Sequence, residues 1–467
     1  MKGARRPGLG SASLLLGAMV CVAGLGPLWL CASIPARAQV LTTETRAEPE
    51  REASLTSSDD GIRAQALEAD RYSFVGFPIV NYNTDEGIGV GGVVALYHYA
   101  GGVKPFRDDV SLRLFLTSTL IQRHELRWEA IEAFDLPLRF RVSLGYYSTA
   151  TQNFCGFGSV VTCDPALAEE AADERGLRRG SESREAFLRH FYQMRFIQPS
   201  LDGIFRWRLR DMPHRLELLA GWRLAYHLPG RIGDLEPYSG SLYSRVYPNG
   251  EEGFLSTPLL GFVLDNRDFE PWPVRGYFLE ASVRGAGPYT GSRWSYGGAN
   301  ASLAGYFQIR RVPQIVLASR LLVDALVGDP PTEALARVVG VLDPYAFGGQ
   351  WIGRGVRERR YIGKLKIIQQ SEIRALLAHA AFGDTKLGIG AAWFWDAAFV
   401  GYDWQDLAGF IPGVHGEGER DVPRLIVGIG AGARILLNET FVIRLDFAVS
   451  PVEQLGPFFY TPVGNPF

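Results

Sequence analysis

"LGFVLDNRDFEPWPVRGYFLEASV", residues 260–283, joins two runs of alternating apolar and polar residues through a heavily specified connection. A period of two is the mark of a β-strand with one apolar face. Between the runs, Asp265, Arg267 and Asp268 can bond one another and the turn backbone, Pro271 and Pro273 fix the path, and Gly276 permits a conformation strained for other residues. The stretch reads as a strand from Leu260 to Asp265, a rigid turn, and a returning strand from Tyr277 to Val283.

The alternation recurs along the chain. In "GIFRWRLRD" (203–211) Phe205, Trp207 and Leu209 alternate with Arg206, Arg208 and Arg210. In "RLELLAGWRLAYHL" (215–228) Leu218, Trp222 and Tyr226 share a face opposite Glu217 and Arg223, and in "FVIRLDFAVS" (441–450) Phe441 to Val449 alternate with Arg444 and Asp446. A soluble sandwich buries its apolar faces against each other, whereas a membrane barrel turns them to lipid and its polar faces to the lumen. Three features favour the barrel: strands of about ten residues or more, aromatics near strand ends (Tyr146-Tyr147, Trp393-Phe394-Trp395), and alternation of connection lengths. Tight connections at 135–138, 211–214, 311–314 and 438–440 alternate with long loops at roughly 155–185, 228–254, 329–363 and 401–422. The expected fold is an all-β transmembrane antiparallel barrel of outer-membrane type, with about 16 strands over residues 73–467. Its first strand falls at about 74–83 and its last at about 456–467, where prolines cannot donate to a ladder. After residue 73 no run of about 20 apolar residues offers a spanning helix.

The chain has 467 residues and a net charge of −2, which gives no reason to expect nucleic acid as a partner. Residues 1–38, with Lys2, Arg5 and Arg6 before an apolar run and Ala36-Arg37-Ala38 at its end, read as a secretory signal peptide, although the length of the run also suits an uncleaved anchor. Residues 39–72 are polar and charged and read as a disordered periplasmic segment. Cleavage of the leader leaves Cys155 and Cys163, whose spacing in an exported chain suggests a disulfide closing a surface loop; with no nearby His, the pair is too small for a metal site.

Other signals are weak. Gly87 to Gly92 satisfy Gly-x-Gly-x-x-Gly, but "NTDEG" (83–87) marks a hairpin turn and no helix follows. Gly428, Gly430 and Gly432 read as relief of crowding on a curved strand. Seven scattered histidines show no metal spacing and no Gly-x-Ser-x-Gly elbow is present, so neither an enzyme nor a cofactor is expected. The arginines from 206 to 210 read as a lumen face paired with acidic neighbours.

Asp-x-Arg-Asp followed by Pro-x-x-Gly between two barrel strands resembles the signature turn of the BamA/TamA superfamily of outer-membrane assembly and translocation barrels, the bacterial surface antigen family. Further stretches are similar in the same order: "NFCGFGS" (153–159), "GGQWIGRGVRERRYIG" (348–363), "SEIR" (371–374) and "WFWDAAFVG" (393–401). The chain departs from the family pattern at Ser159, Gly353, Val356 and Ala398. The resemblance implies that the sixth extracellular loop folds into the lumen, where Arg354 pairs with Asp396. It also implies that the final Phe467 is read as an insertion signal by the machinery that assembles outer-membrane barrels. Members of the family carry POTRA modules before the barrel, and residues 39–72 are too few for one such core, so a separate periplasmic partner is expected. Insertion, translocation or membrane remodelling at a Gram-negative outer membrane, among its lipids and lipopolysaccharide, is the expected activity, acting through a weak seam between first and last strands. A passive pore is the alternative, as is a structural or adhesive barrel displaying the loop closed by Cys155 and Cys163.

Overall fold

The structure is a computed structural model describing residues 70–467, apart from 84–85, 104, 159–162, 210–214, 231–239, 340–346, 383–384, 404–424, 438–440, 455, 463 and 465. The signal peptide, almost all of the 39–72 segment, most of the 401–422 loop and the 438–440 turn thus lie outside the described residues.

Sixteen strands pair antiparallel with their sequence neighbours in one sheet. The first half comprises β1 (Arg71–Asn83), β2 (Gly87–Tyr99), β3 (Asp108–Thr117), β4 (Gln122–Ala130), β5 (Leu138–Asn153), β6 (Gln193–Arg208), β7 (Arg215–Pro229) and β8 (Gly253–Asp265). The second comprises β9 (Gly276–Ala286), β10 (Tyr296–Arg310), β11 (Gln314–Gly328), β12 (Leu365–Phe382), β13 (Thr385–Gly401), β14 (Ile426–Leu437), β15 (Phe441–Val449) and β16 (Phe458–Tyr460). The sheet closes into the expected transmembrane barrel where β1 meets β16.

Burial is inverted relative to a soluble protein. Leu218, Trp222 and Phe447 are 51%, 51% and 42% exposed, while Arg206 and Arg444, on the opposite parity, are 4% and 0% exposed. Leaving large apolar side chains on the outside is stable only against hydrocarbon, so the outer face is the lipid face. The charges meet partners inside: Arg206 bonds Glu217 on the adjacent strand, and Arg223 Nη1 donates to Asp202 Oδ1 at 2.9 Å. In the arginine row Arg206 and Arg208 have acidic partners, Glu217 and Glu132, whereas Arg210 lies outside the described residues; Phe205 and Trp207 are exposed on the outer side.

The last strand differs from expectation. Residues 456–467 do not form one long strand: β16 is three residues, paired with Asp446, Phe447 and Ala448. Beyond it, among the described residues, Arg444 N donates to Pro462 O and Gly464 N donates to Val442 O. Proline at 457, 462 and 466 removes donors, which is why the ladder cannot lengthen. Phe467 ends inside the barrel, 4% exposed, with its ring beneath Arg320 and Arg374.

The long loop between β5 and β6 is more ordered than its length suggests. It holds two helices, Pro165–Glu174 and Glu182–His190, capped by Asp164 accepting from Ala166 N and Ser181 accepting from Arg184 N. Arg184 joins them through Glu169 and Asp173, and Cys155 is bonded to Cys163 just before the first helix.

Candidate functional site

Between β11 and β12 the chain turns into the lumen rather than away from it. Gly353 and Gly355 flank Arg354 at φ +77° and +88°, a left-handed path that makes a tight fold around one side chain. Arg354 is fully buried. Its Nε and Nη2 donate to Asp396 Oδ2 and Oδ1 at 3.0 and 2.8 Å, and its backbone N donates to Oδ2 at 2.8 Å. The guanidinium lies 3.6 Å from the Phe394 ring centroid. Asp396 and Phe394 share the inner face of β13 because they are two residues apart, while Trp393 between its neighbours is exposed outward.

The pair belongs to a larger cluster. Glu372 on β12 accepts from Arg354, from Arg374 Nε at 2.6 Å and from Arg434 Nη2 at 3.3 Å. Asp446 on β15 accepts from Arg434 and from Arg444 Nη1 at 3.1 Å. Four guanidiniums thus meet three carboxylates, each side chain no more than 2% exposed. Buried ions cost several kcal/mol each unless paired, so the wall is stable only as a connected set. The alternating Arg-x-Asp of 444–446 and Glu-x-Arg of 372–374 are the traces of this set in sequence. Reading "SEIR" only as part of a motif leaves Glu372, which touches three of the four arginines, without its role.

The loop is also fitted sterically. A Cβ at Gly428 on β14 would lie 1.8 Å from Arg354 O, so this glycine admits the loop backbone rather than merely easing strand curvature. On the other side of the lumen, Arg123 Nη2 of β4 donates to Glu358 Oε2 at 2.9 Å, and Gln152 Nε2 donates to Glu358 O at 3.2 Å. The loop therefore spans from β13 to β4 and β5. One of its anchors is the last strand: Gly355 N donates to Tyr460 Oη at 3.1 Å.

The turn at the opposite end of the barrel is equally built. Asp265 accepts from Arg267 Nε, Nη2 and N at 2.9, 2.8 and 3.2 Å. Asp268 Oδ1 instead accepts from Phe269 N and Val274 N, both at 2.9 Å, so it clasps the turn rather than joining the Asp265–Arg267 pair. Gly276 has φ +102°, and a Cβ there would lie 2.0 Å from Asn266 O. The turn reaches inward. Arg139 Nη1 donates to Glu270 Oε2 at 3.0 Å, and the buried Trp272 donates from Nε1 to Gln314 Oε1 at 3.1 Å while packing on Leu436 and Val442. Nothing in the alternation of residues signals that Trp272 crosses beneath the lumen.

At the seam, β1 pairs with β2 and β16 with β15, and no ladder joins β1 to β16 among the described residues. The bond between the two edges is Thr461 Oγ1 donating to Val80 O at 2.9 Å. Among the described residues no group of three or more His, Cys, Asp or Glu is placed to hold a metal ion.

Among solved structures the chain is similar to BamA from Haemophilus ducreyi lacking POTRA domains 1-3, at 13% identity and TM-score 0.47, covering 85% of this chain and 70% of that one. It is similar to CdiB from Acinetobacter baumannii at 13% identity and TM-score 0.42, covering 88% and 67%. CdiB from Escherichia coli gives 10% identity and TM-score 0.49 over 84% and 62%. Among curated proteins the chain has no match. Residues 234–455 match the Omp85 superfamily domain, and that span contains Arg354 and every member of its charge cluster. Over that span the chain is similar to the Omp85 superfamily.

Proposed function

We propose that this protein is a Gram-negative outer-membrane barrel that inserts or translocates polypeptide by parting the seam between β1 and β16. The single observation that carries the reading is the seam itself. A β1 edge without a ladder to β16 can template an incoming strand, and a three-residue β16 costs few hydrogen bonds to displace. Loop six is the plug, held by Arg354 on Asp396 and Glu372, and the Tyr460 bond couples the plug to the strand that would move. The Asp265–Arg267 turn fixes one end of the lumen, and Phe467 is the signal for the barrel's own assembly. Residues 1–38 direct export and are removed.

The test is to close the seam covalently with Val80→Cys and Thr461→Cys in the native bacterium, comparing oxidised with reduced cells. The expected result is loss of client assembly or secretion on oxidation and recovery on reduction. Full activity with the crosslink formed would overturn the reading.

A further inference from the structure

Beside the plug the lumen keeps a chamber of about 640 Å³, walled by β1–β8 on one side and by loop six on the other. This is within the ~300–1,000 Å³ of small-molecule sites. Two adjacent rows of lumen-facing residues cross its wall. One runs Phe77, Val93, Arg113, Glu125, Gly145, Ser200 through the registers of β1 to β6; the other runs Ile79, Gly91, Phe115, Arg123, Tyr147, Gln198. The first row changes character at β3 and the second at β4, from apolar beside the seam to charged and polar beyond it.

The apolar half is out of place. A membrane barrel turns its apolar side chains to lipid and fills its lumen with polar ones. On β1 and β2 the outer face is apolar as required, with Phe74, Val80, Val90 and Leu96 exposed, yet Phe77, Ile79 and Val93 make the inner face apolar as well. Water against that wall is unfavourable by about 25 cal/mol per Å². The other half offers the opposite chemistry: β3–β5 supply Arg113, Arg123, Arg127 and Arg141 to the lining against one carboxylate, Glu125. Arg123 is engaged by Glu86 and Glu358, and Arg141 by Glu129 at 3.5 Å. Arg113 lies at the boundary, its side chain 40% exposed and its carboxylate neighbour Glu125 at 3.8 Å. Gln198, 2% exposed, lines the chamber, and among the described residues neither of its side-chain amide atoms has a hydrogen-bond partner.

We propose that the chamber binds the anionic headgroup and one acyl chain of a membrane phospholipid, that chain on Phe77, Ile79, Val93 and Phe115 and the phosphate on Arg113, with Gln198 bonding the headgroup. Charge complementarity and the position of the apolar half, beside the seam and lined also by Thr461 and Pro462, favour this occupant. A peptide strand fits less well, because β1–β6 are paired along the chamber and present side chains, whereas an extended peptide needs main-chain partners. The inference stands apart from the gate, since a sealed seam would leave both halves of the chamber in place.

The test is native mass spectrometry of the full protein purified from membranes in detergent. The probes are dimyristoyl phosphatidylglycerol, inorganic phosphate and a synthetic amphipathic β-strand peptide, with heat-modifiable gel migration confirming the barrel. The expected result is a one-to-one lipid adduct, weakened about tenfold by Arg113→Gln and abolished by Ile79→Trp, which fills the apolar half. If Ile79→Trp does not fold, Val93→Phe serves the same purpose. A lipid adduct unchanged in both variants would place the lipid on the outer belt and overturn the proposal. Competition by inorganic phosphate, with the apolar-half variant binding lipid normally, would assign the site to a free oxyanion. Displacement of the lipid by equimolar peptide would assign the chamber to a polypeptide.

Discussion

The lumen has two walls that could hardly be held together more differently. From β12 to β15 the inner face is a connected set of Arg354, Glu372, Arg374, Asp396, Arg434, Arg444 and Asp446, closed over by the plug. From β1 to β2 the inner face is apolar, and the edge beyond it is joined to the end of the chain by one hydroxyl bond among the described residues. Buried ion pairs are poor at raising stability but strict about geometry, because a displaced charge is left without water or partner. An apolar wall with an unladdered edge imposes no such condition. The contrast gives the barrel one side that fixes the loop in the lumen and another that imposes no comparable geometry.

The strict wall is the place to break the contrast most strongly. Glu372→Gln removes the carboxylate that serves three guanidiniums and leaves four arginines facing two acids. We expect a loss of about 5 kcal/mol, the upper end for a broken buried network, measured as a fall in the temperature at which the barrel loses its compact gel migration. Arg354→Ala leaves three arginines facing three acids, so its stability cost should be smaller, about 3 kcal/mol. Its functional effect should be specific: planar-bilayer recordings should change from closed or briefly flickering to steadily conducting, since the Arg354 side chain holds the loop through its hydrogen bonds to Asp396 and Glu372. Steady conductance in the unaltered protein would instead favour a passive pore.

A third substitution separates charge from fit. Gly428→Val removes no charged group, yet its Cβ would meet Arg354 O, so the loop must move off β14. Overpacking of this kind costs about 1–3 kcal/mol, and the expected phenotype is the Arg354→Ala conductance with most of the barrel's stability retained. If Gly428→Val conducts no more than the unaltered protein, the plug is held by charge alone and close packing is incidental.

How much of this was legible in the sequence follows from range. The strands, their facing and the strand number follow from a period-two pattern that any short window contains, and Asp396 shares its inward parity with Phe394 for the same reason. The Asp265–Arg267 contact is local too, two residues apart. What was not legible joins distant positions. Glu372 reaches Arg434 across β13, Trp272 reaches Leu436 under the lumen, and the tail after Tyr460 leaves the sheet. Prolines at 457, 462 and 466 argue against a long last strand, but only closure geometry shows where the remaining residues go. The helices within 165–190 were readable in principle from Asp164-Pro165 and Ser181 before alanine- and glutamate-rich runs.

The smallest change tests whether the two walls communicate. Tyr460 stands at the seam, yet its hydroxyl accepts from Gly355 N, next to the arginine that anchors the loop. Tyr460→Phe keeps the ring that packs with Phe394, Ala448 and Phe458 and removes only that acceptor. One neutral hydrogen bond contributes about 0.5–1.5 kcal/mol, so amide exchange at Gly355 should accelerate roughly threefold to tenfold while gel migration stays unchanged. The informative readout is elsewhere. If the plug and last strand move together, exchange in Phe458–Tyr460 should rise with that of Gly355, because releasing one end of the bond frees both. If exchange rises at Gly355 alone, β16 is held by β15 without help from the plug. Opening of the seam would then be independent of loop six, and the strict wall would govern the lumen without governing the gate.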